Sequence, residues 1–136
     1  MIPMKPVSKG KIPIIVVPSV ITSIISIFNA EEFLIKGVYT PCTERGEKIS
    51  QRYIVYQHRR YQLVDDASKL SEEEWDRVLA VFATGQAWQF KDWKISNPAQ
   101  LFQRVLGVHV IVDDRLPPPL IAQWNCRLLK VSMYYV

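Results

Sequence analysis

Few residues in this chain of 136 could act as nucleophiles or metal ligands. Its two cysteines, Cys42 and Cys126, lie far apart in the sequence, and its two histidines are His58 and His109. A catalytic thiol needs a positioned base, and a zinc site needs closely spaced Cys and His ligands. The sequence shows neither pattern, so we expect no catalytic cysteine, no metal site and no disulfide framework.

Carboxylates and serines offer no better basis for catalysis. Asp65-Asp66 and Asp113-Asp114 each stand at the end of a predicted strand, where solvated turn aspartates are common. No G-x-S-x-G motif surrounds a serine. The sequence therefore predicts no catalytic residue, no cofactor and no small-molecule substrate, so we do not expect an enzyme.

The turn after the first predicted strand is where an α/β protein would normally hold a phosphate. This turn, Val17–Ser23, contains no glycine and no lysine, and Pro18 lacks an amide donor. A phosphate-binding loop needs glycines to bring backbone N–H groups to the phosphates and a lysine to neutralise them. We therefore expect no nucleotide site, and a degenerate nucleotide-binding protein of the small-GTPase kind is the alternative function.

An unusual group of aromatic side chains follows the strand predicted at 78–82. Trp88, Phe90 and Trp93 stand there among polar and basic residues. An aromatic anchor beside cations suits a phosphopeptide, because Lys and Arg donate charge-assisted hydrogen bonds to phosphate oxygens. Burial of the rings in the core is the alternative that the sequence leaves open. The candidate binding residues, with Trp88 as the anchor, are Trp88, Gln89, Phe90, Lys91, Trp93, Lys94, Arg59 and Arg60.

Composition and charge indicate an ordinary globular domain. Hydrophobic residues make up 49% of the chain and charged residues 22%, which is far from a disordered composition. The net charge of +4 is too small to indicate a nucleic-acid-binding protein by itself. The positive excess lies in residues 1–60, so one part of the surface is expected to be basic and to suit an acidic or phosphorylated partner.

Hydrophobic periodicity predicts the elements that position these residues. Residues 1–11 form a basic, flexible lead-in. Strands are predicted at Ile12–Val17, within 52–64, at Val78–Phe82, at Val108–Val112 and at Leu128–Met133. Helices are predicted up to Phe28, from a capping box at Asn29–Glu32 to Gly37, after a second box at Ser71, from Asn97-Pro98 to Gly107, and at Leu120–Trp124. This alternation predicts an α/β fold with a mostly parallel sheet and helices on both faces.

One uncharged stretch, Ile12–Ala30, is long enough to cross a bilayer. Pro13, Pro18 and four hydroxyl side chains interrupt it. Its apolar spacing also changes at Pro18 from that of a strand to that of an amphipathic helix. We therefore expect a buried strand followed by a helix, with a membrane-tethered protein as a further alternative.

The segment Trp75–Trp93 reads W-D-R-V-L-A-V-F-A-T-G-Q-A-W-Q-F-K-D-W. It closely resembles the C-terminal domain of the parafibromin (cell division control protein 73-like) family, whose members are subunits of the RNA polymerase II-associated factor (Paf) complex. The resemblance runs from about Ile12 to Met133. It includes the opening PIIVVPS, Pro98-x-x-Leu101-Phe102 and Gln123-Trp124-Asn125.

This resemblance implies a Ras-like (small-GTPase-like) sheet, flanked by helices, that lacks nucleotide-binding motifs. It implies a non-enzymatic interaction module in the nucleus that helps to associate the elongation complex with RNA polymerase II and chromatin. The implied partners are other Paf complex subunits and the phosphorylated tails of the polymerase and of an elongation factor, with a link to histone modification. No membrane partner is implied.

The sequence departs from the family pattern at both ends. The family has a long N-terminal region and a C-terminal helix, whereas this chain begins eleven residues before the first predicted strand and stops at Val136. We therefore divide it into the lead-in, 1–11, and a C-terminally truncated Ras-like domain, 12–136. Without the terminal helix, we expect Leu129, Val131 and Met133 to lose cover and the chain to be poorly stable.

Overall fold

Six strands form one sheet in a computed structural model that describes residues 10–19, 23–41 and 51–132. The strands are β1 Ile14–Val16, β2 Gln51–Tyr56, β3 Arg59–Val64, β4 Val78–Phe82, β5 Leu106–Val112 and β6 Cys126–Val131. Their order across the sheet is β2-β3-β1-β4-β5-β6. All described pairings are parallel except that of β2 with β3. The predicted α/β class with a mostly parallel sheet is confirmed.

Short helices connect the strands and cover the sheet. The α-helices of the described residues are α1 Ala30–Lys36, α2 Glu72–Asp76, α3 Pro98–Arg104 and α4 Pro119–Gln123, and the 3-10 helices are Ala67–Lys69 and Ala87–Phe90. Apolar side chains form two clusters, one containing Ile14 and Val16 and the other Ile15 and Val17. Successive strand residues point to opposite faces, so the two clusters lie on the two faces of the sheet.

The central strand β4 and the first-turn capping residues follow the sequence prediction closely. Every residue of β4 is buried, as its continuous apolar run predicts. Ser71 and Glu74 form the predicted capping box of α2. The side-chain oxygen of Asn97 accepts hydrogen bonds from the N–H groups of the first turn of α3, and Gly37 ends α1 with a positive φ of 67°.

The helix predicted to reach Phe28 is wrong for residues 23–28, which the structure describes without a helix. Asn29 organises this segment through its side chain. Its oxygen accepts from the Ser26 N–H at 2.8 Å, and its amide donates to the carbonyls of Ile24 and Thr40, both at 3.0 Å. These bonds compete with helix formation. They also leave the Asn29 side chain unable to cap α1, so the first predicted capping box is wrong.

Other element boundaries shift by a few residues. The first strand is Ile14–Val16 rather than Ile12–Val17, and the last is Cys126–Val131 rather than Leu128–Met133. The helix predicted to reach Gly107 ends at Arg104, and Gly107 lies inside β5. The single bent strand or two strands predicted within 52–64 prove to be the β2–β3 hairpin, with Gln57 and His58 as its turn.

No helix among the described residues is long and apolar enough to cross a membrane. Within Ile12–Ala30 the structure shows β1 and turns, and residues 20–22 lie outside the described part. Residues 1–9 of the predicted lead-in, Cys42 and Met133 lie outside it as well. Leu129 and Val131 pack against one of the two apolar clusters, and the low stability expected of the chain stays a prediction.

Candidate binding site at the carboxyl end of the sheet

The aromatic segment after β4 contains one exposed ring and two buried rings. Trp88 is 59% exposed, whereas Phe90 is fully buried and Trp93 is 8% exposed. The centroid of the Phe90 ring lies 5.0 Å from that of Trp93, 5.3 Å from that of Trp124 and 5.7 Å from that of Phe102. The structure therefore corrects the prediction for Phe90 and Trp93, because rings in the core cannot contact a partner.

Gln89 faces the protein rather than solvent. Its side-chain oxygen accepts a hydrogen bond from the Thr84 N–H at 2.8 Å, and its amide donates to the Phe82 carbonyl at 3.1 Å. Both partners lie at the carboxyl end of β4. Gln89 therefore fastens the 3-10 helix Ala87–Phe90, which bears Trp88, to the sheet. The side chain remains half-buried, and its contact with a partner stays a prediction.

Lys91 lies next to Trp88 because of the 3-10 geometry. The Lys91 N–H donates to the Trp88 carbonyl at 3.2 Å, so the turn continues through Lys91. Side chains three residues apart eclipse one another in a 3-10 helix. Lys91 is exposed and takes part in none of the ion pairs found within the described ranges. An exposed ring and an ammonium group therefore project from the same side of this turn.

Lys94, by contrast, is already paired. Its ammonium lies 2.7 Å from the Glu72 carboxylate, and the hydrogen bond from Lys94 lowers the pKa of Glu72. Glu72 opens α2, which precedes β4 in the chain, so Lys94 points toward the amino end of that strand. The structure brings together Trp88 and Lys91 and directs Lys94 elsewhere.

Arg59 and Arg60 do not join this site. They begin β3, which runs parallel to β1 and, through it, to β4, so they lie at the amino end of the sheet, opposite Trp88. There the Arg59 guanidinium lies 5.7 Å from the centroid of the Tyr61 ring, and that of Arg60 lies 4.7 Å from the centroid of the Tyr53 ring. The expectation that these arginines assist Trp88 is wrong, because the sequence did not reveal how β3 lies in the sheet.

A cavity of about 840 Å³ lies at the carboxyl ends of β1, β4 and β5. Gln89 is bonded to two residues of its wall, Phe82 and Thr84, so the 3-10 helix that bears Trp88 lies beside the cavity. The polar residues of the wall include Ser23, Thr84, Gln86, His109, Asp114 and Arg115. This cavity was not predicted from the sequence. The available signal was that Thr84 and Asp113-Asp114 follow two buried strands whose carboxyl ends meet.

His109 is the buried polar group of this wall. Its Nδ1 lies 2.7 Å from the Ala83 carbonyl. A carbonyl only accepts, so Nδ1–H is the donor, and in the neutral ring Nε2 is left as an acceptor. This bond ties β5 to the end of β4 and sets the rim of the cavity.

One thiol and one carboxylate outside the cavity, those of Cys126 and Asp66, have pKa values that their surroundings shift. Burial raises the pKa of the Cys126 thiol to about 12, so this cysteine is not an activated nucleophile. The Asp66 carboxylate accepts from the N–H and hydroxyl of Ser68, and these bonds lower its pKa. In the described residues, no group of three or more His, Cys, Asp or Glu could hold a metal ion.

A family model described as "RNA pol II accessory factor, Cdc73 family, C-terminal" matches residues 9–134. The chain belongs to the Cdc73 family. This confirms the resemblance drawn from Trp75–Trp93 and from the motifs near both ends of the matched region.

Curated Cdc73 proteins match most of this chain. "Cell division cycle protein 73" of Caenorhabditis elegans is 34% identical over 129 residues, covering 88% of the chain and 25% of the relative. "Cell division control protein 73" of Saccharomyces cerevisiae is 34% identical over 132 residues, covering 90% and 33%. The chain thus spans about a quarter to a third of the length of these Cdc73 relatives.

The Cdc73 fold is also matched by a solved structure, "The conserved domain of yeast Cdc73". The TM-score is 0.79 at 27% identity, and the match covers 90% of this chain and 83% of the other. The fold is Ras-like, as the resemblance implied. The predicted family and the predicted fold are therefore both confirmed.

In this Cdc73 domain the cavity lies at the sheet edge where α/β proteins bind their ligands. The described residues of its wall include neither glycine nor lysine, and Pro18 and Ser23 stand where the phosphate-binding turn would be. The described part of the wall therefore lacks the glycines and the lysine that a phosphate-binding loop uses for a nucleotide phosphate.

We accordingly expect no binding of guanine or adenine nucleotides with magnesium. A thermal-shift assay should show the same unfolding midpoint with and without millimolar GTP. Occupation of a site at 100 times its dissociation constant would stabilise the domain by about 2.7 kcal/mol. A rise of the midpoint by several degrees would favour the degenerate nucleotide-binding alternative.

Proposed function

We propose that this chain is a non-enzymatic interaction module of the Paf transcription elongation complex and acts in the nucleus. In this role it helps to associate the complex with RNA polymerase II and chromatin. Its ligands are the phosphorylated tails of the polymerase or of an elongation factor, and it binds them at the carboxyl end of the sheet. The Cdc73 family is described as RNA pol II accessory factors, and membership of this family supports a role in transcription by that polymerase.

The observation that carries the proposed binding site is the exposure of both Trp88 and Lys91, three residues apart in the same 3-10 turn. A buried domain core does not need a tryptophan that is 59% exposed, and the hydrogen bonds of Gln89 fasten the turn that bears this one to the sheet. A rigid aromatic ring is a suitable anchor for a peptide, since tryptophan is enriched among the residues that dominate binding energy. Lys91 beside it can donate to a phosphate on the same peptide.

The adjoining cavity supplies the remainder of the proposed site. Its apolar wall, which includes Ile24, Val110 and Pro118, suits an uncharged side chain flanking the phosphorylated residue. Asp114 and Arg115 both line the cavity, and their opposite charges offset each other there, whereas Lys91 takes part in none of the ion pairs found among the described residues. We therefore place the phosphate at Lys91 and the neighbouring peptide residues at the cavity mouth.

The test is a pull-down of the purified chain with immobilised polymerase-tail peptides, one phosphorylated and one not. The proposal predicts retention on the phosphorylated peptide that falls as salt rises, because exposed charges are screened. Equal retention on both peptides, or on neither, would contradict it. If the same amount of chain is retained at low and at high salt, this result would argue against the proposed contact of Lys91 with the phosphate.

A further inference from the structure

A second surface of the molecule is built differently from the site at Trp88. β2 is the edge strand of the sheet, and no described residue pairs with its outer side. Its pairing with β3 is regular from Gln51↔Val64 to Tyr56↔Arg59. β2 contains no proline and no bulge, which are devices that proteins commonly use to keep an edge strand from pairing, and its charged residue, Arg52, is paired with Glu31.

The backbone of β2 directs hydrogen-bonding groups outward at defined positions. The backbone N–H of Gln62 donates to the Pro13 carbonyl at 2.9 Å, so the backbone hydrogen-bonding groups of Gln62 face away from β2. Tyr53 is paired with Gln62, and opposite residues of an antiparallel pair either both face each other or both face away. The backbone N–H and carbonyl of Tyr53 therefore face the open edge. The same alternation applies to Val55, two residues further along.

The side chains at this edge are apolar and cationic. Tyr53 is 47% exposed and Val55 57% exposed, and both point to the same face of the strand. The guanidinium of Arg60, from β3, lies over the Tyr53 ring with its central carbon 4.7 Å from the ring centroid. The positive charge of Arg60, a β3 residue, therefore lies at the edge strand, next to the backbone groups that face the open edge.

The positive charge of the β2–β3 hairpin favours an acidic partner. The segment 51–64 contains Arg52, Arg59 and Arg60 and no Asp or Glu. Among the described residues, the ion pair found in this segment is that of Arg52 with Glu31 at 3.6 Å. Edge-to-edge pairing with a second copy of the chain would bring like charges together. An acidic strand would instead meet opposite charge and open backbone groups.

We propose that β2 accepts an extended, proline-free acidic peptide as an additional strand of the sheet. Main-chain hydrogen bonds to Tyr53 and Val55 hold the peptide, as in other cases of strand addition. Arg60 selects acidic side chains on the face of Tyr53. This binding mode is independent of Trp88, which lies at the other end of the sheet.

The probe is a fluorescein-labelled peptide of alternating glutamate and valine, titrated by anisotropy into the full chain. Its matched control has the same sequence with N-methyl groups on alternate residues, which removes the N–H donors that would meet β2. We expect saturable binding of the first peptide and about tenfold weaker binding of the second, as loss of two or more hydrogen bonds predicts.

Two variants of the protein test the same contacts. Val55→Pro removes an N–H that faces the open edge, where a proline is tolerated, and Arg60→Glu reverses the charge over Tyr53. Each should weaken binding of the acidic peptide by about tenfold. Lys130→Glu is the matched control, since it makes the same charge change on an exposed residue of the opposite edge strand, β6, and should alter binding by less than about twofold.

Several results would overturn this inference. These are absence of binding, equal binding of the N-methylated peptide, and an equal loss in Lys130→Glu and Arg60→Glu, which would indicate non-specific attraction. Tighter binding of oligouridylate than of the acidic peptide would assign the hairpin to nucleic acid instead. A dimer of the unaltered chain, seen in sedimentation and abolished by Val55→Pro, would assign β2 to self-pairing.

If Val55→Pro does not fold, the comparison with the N-methylated peptide still tests whether the backbone of β2 holds the peptide. Trp88→Ala should leave this binding unchanged, which separates it from the function proposed above.

Discussion

Replacement of Phe90 by alanine is expected to lower the free energy of unfolding by about 3–5 kcal/mol. Phe90 is fully buried, and the rings of Trp93, Trp124 and Phe102 lie around it. Truncation removes the ring that these three contact and leaves a cavity that the rigid strands beside it cannot close. Urea denaturation followed by fluorescence would measure the loss as a lower midpoint with an unchanged slope.

Trp88→Ala is the matched control for Phe90→Ala, because it removes an aromatic ring two positions away that is mostly exposed. Its free energy of unfolding should change by less than about 0.5 kcal/mol, as is usual for a surface substitution. A loss of about 3 kcal/mol or more in Trp88→Ala would show that the ring is part of the core. The assignment of Trp88 to a binding site would then fail.

Gly107→Ala is expected to destabilise the domain by about 1–3 kcal/mol, and Gly107→Val by more. A Cβ at this position would lie 2.6 Å from a ring carbon of Phe102 and 2.8 Å from the Cys126 sulfur. Phe102 is held in the core by Phe90, so its ring cannot withdraw easily. The clash is steric, and thermal or urea unfolding of the two variants would measure it.

The control for Gly107 is a double-mutant cycle with Cys126→Ala. Cys126 pairs with Gly107 across β5 and β6, and removal of its sulfur eliminates the close contact with one of the two crowding side chains. The double variant should therefore be less destabilised than the sum of the single variants. Strict additivity would indicate that the Cys126 sulfur does not crowd this position.

Gly107 also shows why some of the fold could not be predicted from the sequence. A glycine after an amphipathic helix is a common stop signal, and here the same residue is required because a side chain from α3 and one from β6 meet over β5. Asn29 is a similar case, since its hydrogen bond to Thr40 joins residues eleven apart. By contrast, β4, Ser71 and Asn97 were predicted correctly because their signals are local.

The candidate site was predictable in part for a related reason. The sequence located the segment that bears Trp88 and Lys91, but it could not separate Trp88 from Phe90, because the 3-10 turn decides which ring faces the core. Arg59 and Arg60 were misplaced because their position depends on the strand order of the whole sheet. The cavity lined by His109 was missed because its walls come from three separate strands.

The most direct test of the proposed function is the dissociation constant of a labelled phosphorylated polymerase-tail peptide, measured by anisotropy with the unaltered chain and with Trp88→Ala. Loss of an anchor tryptophan predicts a dissociation constant about tenfold higher or more in the variant, with the free energy of unfolding unchanged. Lys91→Ala should have a smaller effect and should reduce the salt dependence of binding. The same dissociation constant for the unaltered chain and for Trp88→Ala would contradict the account.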